Sequence, residues 1–312
     1  MNTAFLTNKK LWLAPLAGIT DFAFRQICKN CGADVMVSEM VSADGLIFNK
    51  NKSIAYANFE DYQRPFGIQL FGSDPQRMAD ATKILLEKKP DFIDINMGCP
   101  VKKVVARGAG SALMKNPKLA AEIVSEMKKM LNIPLSVKFR AGWDFEHINA
   151  VEFGKRMAGA GADIICLHPR TKSQMFSGKS NWNLIEKLKN AVKTPIIGNG
   201  DIASKNDVEK MYAQTNCDSV MLGRGVMGRP WIFREIKNNL EINPKEKFAI
   251  IKKHFLLSIE QKGEKKAIIE MRTQLHHYTK GLRNSAKIRE FINYCYDKNE
   301  ILKAIENLFE KV

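Results

Sequence analysis

Residues 92–114 read FIDINMGCPVKKVVARGAGSALM. An apolar run ends at Met97 and is broken by Gly98, Cys99 and Pro100, because proline fixes its own φ and cannot continue a strand ladder. The pattern predicts a buried strand that ends in a turn carrying Cys99. This position suits either a working thiol at the open end of a sheet or a small buried residue at a tight corner.

Apolar runs of the same kind recur along the chain, with helix-patterned stretches between them. Asn116 and Ser204 stand where two of these helices are expected to begin, as helix-capping residues do. Eight strand-helix units within about 235 residues are typical of a TIM (β/α)8 barrel, whereas a doubly wound sheet usually carries a glycine fingerprint after its first strand. The predicted strands are 11–16, 34–39, 66–71, 92–97, 135–140, 164–169, 195–200 and 218–223.

The region from about residue 244 to residue 312 has helical periodicity and no strand-like runs. It contains 15 basic and 9 acidic residues, a net charge of +6. The sequence therefore predicts two domains, an α/β barrel over residues 1–243 and a smaller all-helical domain over residues 244–312.

Composition narrows the class of protein. The 312 residues are 45% hydrophobic, enough for large buried cores. No apolar run approaches the roughly 18 residues of a membrane span, and the N-terminus lacks the order of a signal peptide. We expect a cytosolic chain without membrane contact, and a monomer, since no exposed apolar stripe is evident.

Cysteine and charge content bear on chemistry and partners. The six cysteines are scattered, as reduced thiols usually are, and the Cys28–Cys31 pair lacks the second ligand pair of a metal site, so no metal is expected. The net charge of +16 favours a polyanionic partner such as a nucleic acid. The predominance of lysine among the basic residues would equally reflect a lysine-rich proteome.

Polar residues and glycines follow nearly every predicted strand. In a barrel these positions share one rim, which is where active sites lie, so their coincidence favours a common site over separate structural roles. The segments GNGD and GRG after the last two strands suit a phosphate, because glycine lets backbone N–H groups approach an anion. The rim residues are Pro15, Leu16, Ala17, Gln69, Asn96, Cys99, Lys138, Arg140, His168, Arg170, Asn199, Gly200, Asp201, Gly223 and Arg224.

These residue types indicate the chemistry of a ligand. Gln69, Asn96 and Lys138 suit a flat heterocycle with donors and acceptors, and a lysine near the pyrimidine edge of a flavin stabilises its anionic reduced form. FMN fits this set better than a dinucleotide does. A phosphosugar would suit the glycines equally well.

The ordered motifs resemble those of the tRNA-dihydrouridine synthase family and are most like its bacterial B-type subgroup. The similarity runs from about residue 11 to residue 235 and continues weakly in MRTQLHHYTKGLRNSAKIRE. The motifs are APLAGITDFAFR, VSEM, IQLFGSDP, DINMGCPVKKV, GSALM, SVKFRAGW, HPRT, GNGDI and MLGRGVMGRPW.

The resemblance implies an enzyme that uses FMN and NADPH to reduce a uridine in the tRNA D loop to 5,6-dihydrouridine. Cys99 matches the family's proton donor. The implied FMN contacts are Pro15, Leu16, Ala17, Gln69, Lys138, His168, Asn199, Gly200, Asp201, Gly223 and Arg224. The implied substrate contacts are Asn96, Lys102, Lys103, Arg107, Arg140, Arg170, Arg272, Lys280 and Arg283, with His276 and Arg289 as further candidates for phosphate contact.

A thiol suits proton donation, because at an ordinary pKa of about 8.5 it is mostly protonated at neutral pH. We expect Lys102, Lys103 and Arg107 to lower the pKa of Cys99, so that the loop closes over the thiol only when tRNA phosphates offset these charges. Two alternatives stay open. One is an FMN-dependent barrel dehydrogenase acting on a small molecule, and the other is a tRNA-binding module without catalysis.

Overall fold

The computed structural model describes residues 2–310, and its core is one parallel sheet. The strands are β1 (Leu11–Leu13), β2 (Met36–Val37), β3 (Val41–Ser42), β4 (Phe66–Phe71), β5 (Phe92–Met97), β6 (Leu135–Arg140), β7 (Ile164–His168), β8 (Ile196–Asn199) and β9 (Ser219–Leu222). Their order is β1-β9-β8-β7-β6-β5-β4-β2, with β3 beside β4. A parallel bridge between Trp12 and Val35 joins the two ends of the sheet. The predicted TIM barrel is therefore confirmed.

Each predicted strand is present, and three of them have the expected bounds. Strands β4, β5 and β6 coincide with the predicted runs 66–71, 92–97 and 135–140. Strand β3 was not predicted, because its two residues are too short to show alternation. It pairs with β4 through Val41 and Leu70, beyond the point where β2 leaves the sheet.

Helices fill the connections and form the C-terminal region. Asn116 and Ser204 cap their helices as predicted, accepting hydrogen bonds from the N–H groups of Leu119 at 3.2 Å and Asp207 at 3.1 Å. The helices are α1 (Ala4–Thr7), α2 (Phe22–Asn30), α3 (Ala43–Phe48), α4 (Lys50–Ile54), α5 (Pro75–Leu86), α6 (Lys102–Val105), α7 (Pro117–Lys129), α8 (Ala150–Gly159), α9 (Asn183–Ala191), α10 (Lys205–Thr215), α11 (Ile232–Asn238), α12 (Pro244–Lys262), α13 (Glu264–Thr279), α14 (Ser285–Tyr294) and α15 (Lys298–Phe309). Short 3-10 turns cover Ala55–Ala57, Asp61–Gln63, Gly110–Lys115 and Arg224–Val226.

The barrel interior is filled by side chains at the end opposite the strand carboxyl termini. Trp12 and Phe92 meet edge to face with their ring centroids 5.1 Å apart. The indole N–H of Trp12 donates to the carbonyl of Leu6 at 2.9 Å, so α1 covers this end. A Cβ on Gly67 would lie 2.3 Å from the Phe92 ring, which requires glycine there. Because this end is packed, a ligand can enter the barrel only from the other end.

Helices α12 to α15 have their own apolar cluster, which also takes in Ile27, Cys31 and Trp231 from the barrel sequence. Polar contacts reinforce this junction: Lys262 pairs with Asp21 at 2.5 Å, and the side-chain amide of Gln274 donates to the carbonyl of Ile19 at 2.8 Å. The predicted all-helical C-terminal region is confirmed, whereas its boundary at residues 243/244 stays a prediction.

Gly228 makes a tight backbone contact with α13 at this junction, and its substitution tests how much the contact stabilises the protein. Its φ is +70°, and a Cβ there would lie 2.2 Å from the carbonyl oxygen of His277. We expect Gly228→Ala to lower the free energy of unfolding by about 2 kcal/mol or more, because backbone must move on both sides. Urea unfolding measures this loss.

Gly281 provides the matched control, since its φ is +83° and a Cβ there would have nothing within 4 Å. Gly281→Ala should cost only about 1 kcal/mol, the conformational penalty alone. Equal losses in the two variants would show that the contact between Gly228 and α13 carries no stability.

Candidate active site

A cavity of about 860 Å³ opens at the carboxyl ends of the strands. Every residue predicted to contact a cofactor lines it, as do Asn96, Cys99 and Arg140. The structure thus brings together Pro15, Leu16, Ala17, Gln69, Asn96, Cys99, Lys138, Arg140, His168, Asn199, Gly200, Asp201, Gly223 and Arg224.

A chain of hydrogen bonds crosses from β4 to β5 at the base of the cavity. The buried carboxylate of Asp94 accepts from Nε2 of Gln69 at 2.6 Å. Oε1 of Gln69 in turn accepts from Nδ2 of Asn96 at 2.8 Å. Asp94 accepts but does not donate when it is ionised, so it sets the orientation of the Gln69 amide, and Gln69 sets that of Asn96.

The turn that carries Cys99 is held on both sides. Oδ1 of Asn96 accepts from the N–H groups of Gly98 at 3.2 Å and Cys99 at 2.9 Å. The carbonyl of Cys99 accepts from the N–H of Ser111 at 3.0 Å. A Cβ on Gly110 would lie 2.7 Å from that carbonyl oxygen, which explains the glycine in the motif GAGS. The half-buried thiol is therefore fixed at the cavity wall.

The direction of the pKa shift of this thiol differs from the sequence expectation. Burial raises the pKa of Cys99, while the Val101 N–H and the Arg140 guanidinium act in the opposite direction. The expected lowering of this pKa by Lys102, Lys103 and Arg107 is wrong, because those side chains are exposed and solvent screens them. Cys99 is a protonated thiol at neutral pH. Closure of its loop on tRNA binding stays a prediction.

Lys138 lies on β6, between β5 and β7, and contacts Asn199 of β8. Its Nζ donates to Oδ1 of Asn199 at 3.1 Å, and Nδ2 of Asn199 donates to the carbonyl of Met221 at 2.7 Å. The carbonyl contact fixes the Asn199 amide with its oxygen toward the lysine. Burial lowers the pKa of Lys138, and the charge of Asp94 opposes that change. An ammonium has three donors, so Lys138 retains donors for a ligand.

His168 lines the cavity as a neutral imidazole. Burial, followed by the charges of Lys138 and Arg140, holds its pKa well below the ordinary value. A neutral ring can both donate and accept a hydrogen bond.

Arg170 was predicted to contact the substrate, and the structure places it elsewhere. Its guanidinium is only 2% exposed and does not line the cavity. It donates to the carbonyls of Ser177 and Gly178 and to the Asp201 carboxylate. These bonds fix the loop after β7, and Nη1 lies 3.4 Å from Nε2 of His168, which lines the cavity. A contact of Arg170 with the substrate stays a prediction. Arg140, also buried, lines the cavity but supports the carbonyls of Gly98, Thr171 and Met175.

The glycine-rich end of the cavity has the character of an anion site. Gly200 has φ +119°, and a Cβ there would lie 2.2 Å from Oγ of Ser180. Arg224 is exposed at the edge, where it donates to Asp201 at 3.2 Å and to the carbonyl of Phe176. The Asp201 side chain is engaged by Arg170 and Arg224, so it can face an anion only through its backbone.

The remaining predicted substrate residues lie outside the cavity. Lys102 and Lys103 are exposed on the short helix α6 and Arg107 is exposed just after it, while Lys280 and Arg283 are exposed after α13. Their part in binding stays a prediction.

The other residues of the helical region that were predicted to contact tRNA phosphates partly contact protein groups instead. The guanidinium of Arg272 lies 4.9 Å from the Tyr296 ring centroid, and its Nε and Nη2 are buried without a partner among the described residues. Arg289 donates to Oγ of Ser285 at 2.7 Å, and His276 lies 3.3 Å from the carbonyl of Arg289.

Sequence reasoning missed apolar residues of the cavity wall. Met40, Met175 and Phe176 line the cavity, and Phe176 packs under the guanidinium groups of Arg140 and Arg224. Met175 and Phe176 follow the motif HPRT by a few residues, so their position close to a predicted strand end could have indicated that they line the cavity. Met40 lies between β2 and the unpredicted β3.

Within residues 2–310, no group of three or more His, Cys, Asp and Glu side chains is arranged to hold a metal ion. The same part of the chain contains no helix that is both long enough and apolar enough to cross a membrane.

The closed parallel barrel, packed at one end and open to a polar cavity at the other, defines a TIM-barrel enzyme with its active site at the strand carboxyl ends. Histamine dehydrogenase from Rhizobium sp. 4-9 shares this fold, with a TM-score of 0.57 and 13% identity. The similarity covers 80% of this chain and 49% of that one, so this chain spans about half its length.

Sequence comparisons define the family. The protein-family model described as Dihydrouridine synthase (Dus) matches residues 12–312 of this sequence. A probable tRNA-dihydrouridine synthase of Aquifex aeolicus (strain VF5) is 37% identical over 305 residues, which cover 96% of each chain. The tRNA-dihydrouridine synthase B of Pasteurella multocida (strain Pm70) is 34% identical over 316 residues, covering 99% of this chain and 95% of the relative. The chain belongs to the dihydrouridine synthase family of oxidoreductases, which confirms the predicted resemblance.

Asp94 makes the stability of the protein depend on pH. Burial raises its pKa from 3.8 to about 6. Between these values the folded protein holds a proton that the unfolded chain has released, so the free energy of unfolding falls as pH rises through this interval. Relative to wild type, Asp94→Asn should gain on the order of 2 kcal/mol between about pH 4.5 and about pH 7.5.

Urea unfolding of both proteins at the two pH values measures this difference. Glu260→Gln, at an exposed position of α12, is the control and should track wild type at both. A difference between Asp94→Asn and wild type that is the same at both pH values would contradict the expectation.

Proposed function

We propose that the chain is a tRNA-dihydrouridine synthase that uses FMN and NADPH to reduce a uridine of the tRNA D loop to 5,6-dihydrouridine. The observation that carries this proposal is the position of Cys99, a fixed and protonated thiol, on the wall of the cavity that Gln69, Lys138 and the glycine loops also line. Membership of the family and the names of the relatives support it.

The donor set fits FMN. The amide of Gln69 and the ammonium of Lys138 would bind the edges of a flat ring that has both donors and acceptors, with His168 beside them. At the other end, the backbone of Gly200 and Gly223 and the side chain of Arg224 would bind a phosphate. When bound and reduced, ultimately by NADPH, this group supplies the hydride that adds to carbon 6 of the uracil.

A residue of the chain, Cys99, supplies the proton that the reaction needs. Hydride addition leaves an enolate, and carbon 5 must then be protonated. The Cys99 thiol is protonated at neutral pH and its backbone is fixed by Asn96 and Ser111, so its S–H is available at a defined place. The resulting thiolate lies near Arg140, which opposes the effect of burial on the thiol pKa and so stabilises the anion.

The substrate must present an unstacked base, because the cavity lies inside the barrel mouth. We assign residues 1–243 to an FMN-binding catalytic domain and residues 244–312 to a tRNA-binding domain. The exposed Lys102, Lys103 and Arg107 would meet phosphates near the cavity, and Lys280 and Arg283 would meet phosphates farther away. A cytoplasmic location and a monomeric state stay predictions.

Replacement of the thiol tests the chemistry. Cys99→Ala should lower the rate of dihydrouridine formation by about 10²–10⁴, because a positioned general acid is lost. Reduction of the bound flavin by NADPH should be unchanged, since Cys99 takes no part in it. Stopped-flow absorbance measures the flavin step, and mass spectrometry of an unmodified tRNA transcript measures the product.

Mass-spectrometric mapping of tRNA from a strain that lacks the protein then identifies the positions that are reduced. Complementation of this strain with wild type or with Cys99→Ala tests the same role of Cys99 in cells. Full restoration by Cys99→Ala would refute the proton-donor assignment. An unchanged tRNA pattern, with purified protein inactive on unmodified tRNA but active on a free pyrimidine or an enone, would favour the small-molecule dehydrogenase instead.

The charge of the helical region makes a separate prediction. Lys280→Gln and Arg283→Gln should each weaken tRNA binding and make the slope of log affinity against log salt shallower by about 0.7–0.9, because each cation displaces one counterion. Fluorescence anisotropy across a salt series measures both quantities. Lys187→Gln, at an exposed position of α9, is the control and should leave the slope unchanged.

A further inference from the structure

A rigid turn follows β6 and is not explained by the cavity chemistry. Residues 143–147 form this turn, which is closed by the Trp143 N–H donating to the carbonyl of His147 at 3.1 Å. An antiparallel bridge between Gly142 and Ile148 continues it. Oδ1 of Asp144 accepts from the N–H groups of Glu146 at 3.1 Å and His147 at 2.9 Å. The 143–147 turn is therefore organised by its own hydrogen bonds.

Phe145 stands at the tip of this turn and is 69% exposed. The hydrogen bonds of the turn hold the backbone that carries this ring. A large aromatic ring held in water by a rigid backbone contributes little to the core, and such exposed apolar surface marks interaction sites.

Cations flank the turn. Nζ of Lys115 lies 4.7 Å and Nζ of Lys172 lies 4.4 Å from the ring centroid of Trp143. Of the acidic residues in the turn, Asp144 is occupied by the backbone and by Nδ1 of His147, while Glu146 is exposed. Aromatic rings interleaved with cations are the surface that binds single-stranded nucleic acid.

The turn belongs to the rim of the cavity. The N–H of Lys172 donates to the carbonyl of Gly142, and the N–H of Ser173 donates to the carbonyl of Trp143, both at 2.9 Å. The loop bound in this way continues to Met175 and Phe176, which line the cavity. A nucleic acid that places one base in the cavity would therefore pass beside the turn.

We propose that the 143–147 turn is a base-stacking element, in which Phe145 stacks on an unpaired base of the tRNA next to the uridine that enters the cavity. This inference rests on the proposed function. Extrusion of a base leaves its neighbour with an uncovered face, and an aromatic ring on a preorganised turn covers that face at little entropic cost. Lys115 and Lys172, whose ammonium groups lie against the Trp143 ring, would neutralise the adjacent phosphates.

The test is equilibrium binding of an unmodified tRNA transcript to the full-length protein. Phe145→Ala should weaken binding roughly tenfold, and Phe145→Trp should retain wild-type affinity, because stacking needs an aromatic face. Phe48→Ala is the matched control, since Phe48 is 73% exposed, packs on Arg77 and does not line the cavity. It should bind like wild type. Flavin content and reduction by NADPH should be the same in all four proteins.

Three outcomes would overturn the proposal. Unchanged affinity and unchanged KM for tRNA in Phe145→Ala would remove the stacking role while leaving the proposed function intact. A change in sedimentation behaviour of Phe145→Ala, with tRNA affinity unchanged, would assign the turn to contact with a second copy of the chain. Failure of the wild-type protein to bind tRNA would reject the inference together with the proposed function.

Discussion

Closure of the parallel sheet between Trp12 and Val35 is the constraint on which the rest of the structure depends. Once the sheet closes, the carboxyl ends of its strands must lie on one ring, and residues that are far apart in the sequence come together. The packing of Trp12 against Phe92 fills the opposite end, so the space for a ligand inside the barrel lies at that ring. Closure thus brings Cys99 and the candidate cofactor residues together in one cavity.

Burial in and beneath that cavity shifts the pKa of each group more than its nearest charges do. Cys99 and Asp94 have raised pKa values, and Lys138 and His168 have lowered ones, as desolvation requires for acids and bases respectively. The mutual influence of Asp94 and Lys138 partly offsets the cost of burying each charge. The protein therefore keeps a neutral proton donor and a cation in the same cavity, which suits proton delivery to a carbanion-like centre.

Much of this arrangement could be predicted from the sequence, because a short run of residues is enough to show where a strand ends. Gln69, Lys138 and Asn199 were placed correctly at the cavity because each lies in the carboxyl-terminal half of a run with a clear strand pattern. Arg170 was not, since its burial depends on the path of the loop over residues 171–181, which has no period. The predicted direction of the Cys99 pKa shift was also wrong. Cations that are close to Cys99 in the sequence are exposed in the structure, and the sequence does not show that solvent screens their charges.

The helical region also bears directly on the shape of the cavity. Gln274 of α13 donates to the carbonyl of Ile19, which lines the cavity after β1. The carbonyl of His277, one helical turn further along, lies against Gly228, next to Met227 of the loop after β9. One helix therefore contacts the two loops that flank the junction of β1 and β9 in the sheet. The position of α13 therefore constrains both loops, and with them this side of the cavity, through direct contacts.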